Sequence, residues 1–300
     1  MARIVCVGEG MLELSRLASF KGDGGWQLGY GGDTLNTAIH LARLGHDVAY
    51  LTALGADPFS QDLKAKWAAE GLDTSLVLTH PTRQAGLYAI STDPAGERSF
   101  TYWRDTSAAR EMFALEGSAA ASAEACEADL LYFSLITLAI LPPAGRDHLL
   151  ALARRARQVA FDGNYRPRLW PSRDEALAAR DAAIAVADIG LPTLDDEAML
   201  SGAADACRLT ADWCRIGCQE TVVKLGADGA LLPDGRIIAP ERTLSPIDTS
   251  GAGDAFNAGY LSARLNGLSI EEAAGAGHAL AGWTIMRPGA IPPPNSPDPS

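Results

Sequence analysis

The chain of 300 residues predicts an α/β fold, a mostly parallel sheet flanked by helices with a small β lid. Three observations predict it. Short β-branched runs alternate with longer helical patterns, the signature of strands laid side by side with helices on both faces. One stretch, QAGLYAISTDPAGERSFTYWR at 84–104, interrupts that alternation with two extended runs and no helix between them. Hydrophobic residues make up 47% and charged residues 21%, the balance of a soluble globular chain.

The elements follow in order. RIVCVGE at 3–9 reads as a strand; Leu35, Ala38, Ile39 and Ala42 then recur at helical spacing until Gly45 stops the run. DVAYLTALG at 47–55 is the next strand, and SQDLKAKWAAEG is a helix closed by Gly71. DLLYFS, QVAFDGN, DIGLP and ETVVKLG are further strands, separated by alanine-rich or charged helical stretches. In the interrupting region, a turn composition of Asp93, Pro94, Ala95 and Gly96 joins the two runs into an antiparallel hairpin. Period two places Phe100, Tyr102 and Arg104 on one face of it. FKGDGGWQLGYGGD at 20–33 offers another strand, so a lid is expected from segments 12–32 and 84–104. Pattern alone equally allows a hairpin that only covers a sheet edge. Ser269 with Glu272 forms a capping box. The proline-rich segment 288–300 reads as a loose tail, and no linker or repeat divides the rest.

Composition excludes several function classes. A net charge of −12 argues against a nucleic acid partner, which needs a basic footprint, so any anionic ligand must be met by local cations. The five cysteines form no paired framework and suit a reducing compartment; Cys214 and Cys218 lack the His or further Cys that would complete a metal set. With no basic and apolar leader and no run of about twenty apolar residues, the expectation is a cytoplasmic protein without a membrane partner.

The most informative stretch is DTSGAGDAFNAG at 248–259. Phe256, Tyr260 and Ala263 recur at helical spacing and Gly267 ends the run, which puts Gly253 or Asp254 near a helix N-terminus. Unpaired amides and the macrodipole make such an end an anion site, and small residues let backbone approach a phosphate. Asp254 would repel that anion unless it serves as a base, taking a hydroxyl proton as the oxygen attacks a phosphoryl group. In isolation, GAGD reads more readily as an Asp cap after a tight turn.

GGDTLNTAIHLARLG, KLGADGA at 224–230 and DTSGAGDAF at 248–256 occur in the order and spacing of the ribokinase-like (PfkB) carbohydrate kinases, which the chain resembles over essentially its whole length. GLYAISTDPAGERSFTYWRD, YFSLITLAIL, FDGNYRPRLW and TLDDE resemble most closely the bacterial branch that phosphorylates 2-keto-3-deoxygluconate. The resemblance implies one ribokinase-like domain over 1–300, with ATP and Mg²⁺ as cosubstrate and cofactor. It implies Asp254 as the catalytic base and the amides of Gly251, Ala252 and Gly253 as the anion hole. Gly31, Gly32, Asp33, Asn36, Tyr88, Tyr102, Arg104 and Arg166 would contact the sugar acid together with Asp254. Asn164, Arg166, Thr193, Lys224, Gly226, Asp228, Gly229, Gly251 and Gly253 would lie along the nucleotide.

Two of these residues carry the substrate inference, because an arginine fork matches a carboxylate. Arg104 shares the hairpin face with Tyr102, and Arg166 follows a strand's carboxyl end, where such sheets bind ligands. Taken singly, either arginine is an ordinary surface ion-pair member. Thr193 stands where many family members have Asn, which leaves the metal-organising acid open among Asp195, Asp196 and Glu197; a helix start rich in acids is the plain alternative. A kinase of a neutral sugar such as fructose or ribose, or a silent sugar-binding regulator, fits the same motifs. Open lid edges offer a route to a homo-oligomer.

Overall fold

The structure, a computed structural model, describes residues 2–16, 25–92 and 98–296. The expected turn at 93–96, the first part of the 20–33 stretch and the last four residues of the tail lie outside the described residues.

Among the described residues, seven parallel strands form the main sheet. Edge to edge they run Glu220–Thr221, Ile189–Gly190, Val159–Asp162, Leu130–Ser134, Arg3–Val7, Asp47–Gly55 and Val77–His80. The central strands are covered on both faces, which is why they read as unbroken apolar runs. Alternation sorts their side chains: Val5, Val7, Phe133 and Phe161 enter one core. Ile4, Cys6 and Tyr132 enter the other, under the Asp33–Arg43 and Ala252–Leu265 helices.

The expected strand at 47–55 is found with those bounds. Two expectations are corrected. The apolar run at 220–226 is not one strand: Glu220–Thr221 ends the main sheet, and Val223–Lys224 pairs antiparallel with Ala230–Leu231, which in turn pairs with Ile237–Ile238. A continuous apolar run carries no mark of a change of partner. The segment 288–296 is not loose. Gly289 donates its N–H to Asp248, Ile291 packs against the core, and the carbonyls of Ala290 and Pro292 meet His40 and Arg43. Its prolines forbid helix and strand but leave carbonyls free to accept from buried side chains. Of the two neighbouring thiols, Cys218 is buried and Cys214 exposed.

A second sheet stands apart, in the order Trp26–Gly31, Met11–Arg16, Leu87–Thr92 and Arg98–Trp103. The hairpin is antiparallel as expected, and the expected extra strand, Trp26–Gly31, pairs antiparallel with Met11–Arg16. Met11–Arg16, which pattern reading did not separate from the first strand, joins them by pairing parallel with Leu87–Thr92. The chain crosses between the two sheets four times: at residues 8–10, at Gly32, before Leu87 and after Trp103. No helix among the described residues is long and apolar enough to cross a membrane.

Candidate active site

The carboxyl ends of Leu130–Ser134 and Val159–Asp162 open toward the start of the Ala252–Leu265 helix. Gly251 caps that helix at φ 70°, and a Cβ there would lie 2.6 Å from the Cβ of Ala290, so both conformation and space require glycine. Ala252 donates its amide to Thr249 O at 3.3 Å, whereas the amides of Gly251, Gly253 and Asp254 meet no backbone acceptor among the described residues. The amides left without a backbone acceptor at this helix start are thus those of 251, 253 and 254, while that of Ala252 is partly engaged. Gly253 leaves the ammonium of Lys224 uncovered, since a Cβ at 253 would come within 3.6 Å of Nζ.

Asp254 is buried on the other side of this turn. Asn36 Nδ2 donates to its Oδ2 at 2.8 Å, and Thr37 Oγ1 donates to its carbonyl at 3.2 Å. Burial pushes its carboxyl up to about 8; the nearby Asp33 carboxylate adds to the rise and the Asn36 hydrogen bond opposes it. Burial also raises Asp33, against hydrogen bonds from the Ser134 side chain and the Thr34 amide. Asn164 Nδ2 donates to Asp33 at 3.2 Å, which joins Asn164 to the Asp33 group. Gly31 and Gly32 bring this corner together. A Cβ on Gly31 would fall 2.3 Å from the Tyr88 hydroxyl, and one on Gly32 2.3 Å from the Glu9 carbonyl.

The second sheet supplies the aromatic wall. Tyr88 and Tyr102 face each other across the hairpin with ring centroids 5.8 Å apart, and Tyr88 donates its hydroxyl to Glu13. The Arg104 guanidinium lies 5.8 Å from the Tyr102 ring centroid and is buried, its Nε donating to Glu9 Oε2 at 2.7 Å. Arg166 differs: its side chain is 49% exposed, and Nη1 is shared between the Tyr165 carbonyl and Asp196. Both arginines lower the pKa of Tyr102 against the rise due to burial, so the two cations and this ring converge.

A cavity of about 910 Å³ opens on the far side of the Gly253 turn. Thr193, Lys224, Gly226, Gly229, Ala252 and Gly253 line its inner end. The loop from Ala239 to Leu244 and the Gly275, His278 and Gly282 face of the Ile270–Ile285 helix form its outer wall. Asp228 is exposed in the short Gly226–Asp228 turn and does not line it; nor do Gly251, Asn164 or Arg166. Reading the sequence missed this outer wall, because a helix face of small residues looks like ordinary packing.

Between the two halves runs a buried polar chain. Lys224 Nζ donates to Asp162 Oδ1 at 3.1 Å and Asn257 Oδ1 at 3.0 Å; Asn257 Nδ2 donates to Asp162 at 2.8 Å and to the Tyr132 hydroxyl at 3.0 Å. Asp162 and Asn257 had gone unnoticed, although a polar residue closing a parallel strand and one three positions after Asp254 were both signals. Among the three neighbouring acids, Asp196 is the one raised by burial while facing Arg166, Asp162 and Lys224. Glu197 is fully buried and bound to Arg180 Nη1 at 2.7 Å, with its carboxyl pushed up to about 7 by burial. Among the described residues no cluster of three or more His, Cys, Asp or Glu stands ready to hold a metal ion by itself.

A sequence profile described as pfkB family carbohydrate kinase matches residues 1–297. The 2-dehydro-3-deoxygluconokinase of Escherichia coli K12 is 43% identical over 97% of each chain. That of Dickeya dadantii is 42% identical over 97% of this chain and 96% of its own. The solved aminoimidazole riboside kinase of Salmonella enterica, complexed with aminoimidazole riboside and an ATP analog, superposes with a TM-score of 0.80. It is 26% identical, over 97% of this chain and 95% of that one.

Proposed function

The chain belongs to the pfkB family of carbohydrate kinases, and we propose that it transfers the γ-phosphoryl of ATP to the terminal hydroxyl of 2-keto-3-deoxygluconate (2-dehydro-3-deoxygluconate). The observation that carries the mechanism is the position of Asp254. Its carboxylate faces Asn36 and Asp33, while Ala252 and Gly253 of the same helix start line the inner end of the cavity. A hydroxyl on the Asp33 side is therefore within reach of the base, and a phosphoryl group on the amide side is held in line with it. Asp254 takes the proton as the substrate oxygen bonds to phosphorus; the amides of 251, 253 and 254 and the Lys224 ammonium offset the charge on the transferring group.

The cavity is lined by Gly226 and Gly229 where phosphates would approach backbone and by a wide wall that mixes glycine and alanine with Phe256, His278 and Leu244 where a base would lie, which suits a nucleotide. For Mg²⁺, the half-buried Asp196 is the fitting acid, since its partner Arg166 is half exposed whereas Glu197 is fully buried against Arg180. Bound there through water or phosphate oxygens, the ion would neutralise charge on the phosphates. The buried Arg104 favours a sugar acid over a neutral sugar: its outer donors have no protein acceptor among the described residues and match a carboxylate. The second sheet, with Tyr88 and Tyr102, acts as the lid that excludes water.

The test is ATP-dependent phosphorylation of 2-keto-3-deoxygluconate, with fructose, ribose and gluconate in parallel and Asp254→Asn as control. Preference for the keto acid, abolished in the control, is the expected result. Turnover of a neutral sugar alone would keep the mechanism and overturn the role given to Arg104; no turnover of any would point to a silent sugar-binding regulator.

A further inference from the structure

Glu9 belongs to no motif discussed above, yet it is among the most deeply buried acids of the chain, at 2% exposure. It lies on the first crossing between the two sheets, directly after Arg3–Val7, and Arg104 lies on the last, directly after Arg98–Trp103. Their side chains join these two crossings. Arg104 Nε donates to Glu9 Oε2 at 2.7 Å and Nη2 is engaged by the same oxygen. This uses the inner edge of the guanidinium. The outer edge, Nη1 with the remaining Nη2 hydrogen, has no acceptor among the described residues, and the Tyr102 ring lies beside it.

A buried guanidinium without a counter-charge is strongly unfavourable and would seek another carboxylate. One is at hand: Asp33 is close enough for Arg104 to lower its pKa against the rise from burial. Without Glu9, Arg104 would turn toward Asp33, and its outer edge would no longer be presented to the carboxylate of the substrate. We propose that Glu9 is the positioning residue for Arg104: it supplies the counter-charge that holds the inner edge, and so keeps the outer edge free for the carboxylate of the substrate. This rests on the reading of Arg104 as the carboxylate-binding residue.

Gly86, on the third crossing, gives a second handle. A Cβ there would lie 2.7 Å from Glu9 Oε1, 3.0 Å from Met11 Cγ and 3.3 Å from Arg104 Cβ, so Gly86→Ala presses on both members of the pair without removing either charge.

The experiment compares wild type, Glu9→Gln, Glu9→Asp, Arg104→Gln and Glu9→Gln/Arg104→Gln at saturating ATP. Each is assayed with 2-keto-3-deoxygluconate and with its analogue reduced at the carboxyl to a primary alcohol. Glu9→Gln should raise KM for the keto acid about tenfold, leave kcat and the KM for ATP within about twofold, and leave the neutral analogue unchanged. Glu9→Asp should fall between, and the double variant should be no worse than Arg104→Gln, because Glu9 acts only through Arg104. An unchanged or lowered KM for the keto acid in Glu9→Gln, or equal losses on acid and neutral substrates, overturns the proposal. If Glu9→Gln does not fold, Gly86→Ala must show the same acid-specific rise in KM, and its absence is equally fatal. A wild type that does not prefer the acid to the neutral analogue would instead overturn the reading of Arg104. Preference in wild type with no effect of Glu9→Gln would overturn only the role of Glu9.

Discussion

At the scale of the residue, Asp254 has its carboxyl raised by burial, which suits it to the role of base proposed above and also costs the fold stability. Its carboxyl titrates near 8 in the folded protein against 3.8 when free, so between those values the folded chain keeps a proton that the unfolded chain has shed. Stability is therefore highest at low pH on this account and falls as pH rises from about 4 to about 8. Asp254→Asn removes that loss: we expect turnover to fall by orders of magnitude while the melting temperature at pH 8 rises, roughly 2–4 °C for each kcal/mol recovered. A calorimetric scan at pH 5 and pH 8 checks it, and the gain must be larger at pH 8. For the wild type, kcat/KM should rise with pH through about 8, since the proposed base must be deprotonated in the free enzyme. Lys224 makes the opposite case. Lys224→Met strands Asp162 in the core, which should lower unfolding free energy by about 3–5 kcal/mol in urea titration. Adding Asp162→Asn should restore much of it.

At the scale of the element, two helix starts make a controlled comparison. The Ile270–Ile285 helix begins with the reciprocal Ser269 and Glu272 box, in which Glu272 N–H donates to Ser269 Oγ at 3.2 Å and Ser269 N–H to Glu272 at 2.9 Å. The Ala252–Leu265 helix begins at Gly251 with no side-chain cap. Ser269→Ala should cost about 1 kcal/mol of stability with kinetics unchanged. Gly251→Ala should cost about 1–3 kcal/mol and also depress kcat, because it shifts the amides proposed to hold the phosphoryl; parallel melting and steady-state assays separate the two. Both helix starts were legible in the sequence, the first from a capping pair three residues apart and the second from small residues before an amphipathic run. The parallel strands were legible for a similar reason, as local apolar runs bounded by glycine or polar residues. What local pattern could not carry was partnership. The strand Met11–Arg16 hides behind three residues that follow the first strand, and the change of sheet at Val222 has no composition of its own. Within the site, glycines and Asp254 stood out because only special residues serve there. Asp162, Asn257 and Glu9 did not, because their meaning lies in contacts 62, 33 and 95 positions away in sequence.

At the scale of the whole molecule, the site is assembled from distant parts of the chain, with Asn36 reaching Asp254 across 218 positions and His40 reaching Ala290 across 250. The segment 288–296 backs the Gly251 turn through Ala290 and satisfies Asp248, His40 and Arg43. Deleting residues 288–300 should therefore lower the melting temperature by several degrees, as about 2–4 °C per kcal/mol implies for several lost hydrogen bonds. It should also cut turnover more than it weakens sugar-acid binding by calorimetry. Retention of full kcat in the truncated protein would show that the Gly251 turn holds its shape unaided. The bracing by Ala290 also has a consequence in time. Residues 288–296 are the last described part of the chain to leave the ribosome, and the turn they support was made some forty residues earlier. A nascent chain can complete its main sheet while the groups meant for the phosphoryl are still unsupported. On the proposed reading, the turn at Gly251 thus gains its support only after the framework around it is already in place.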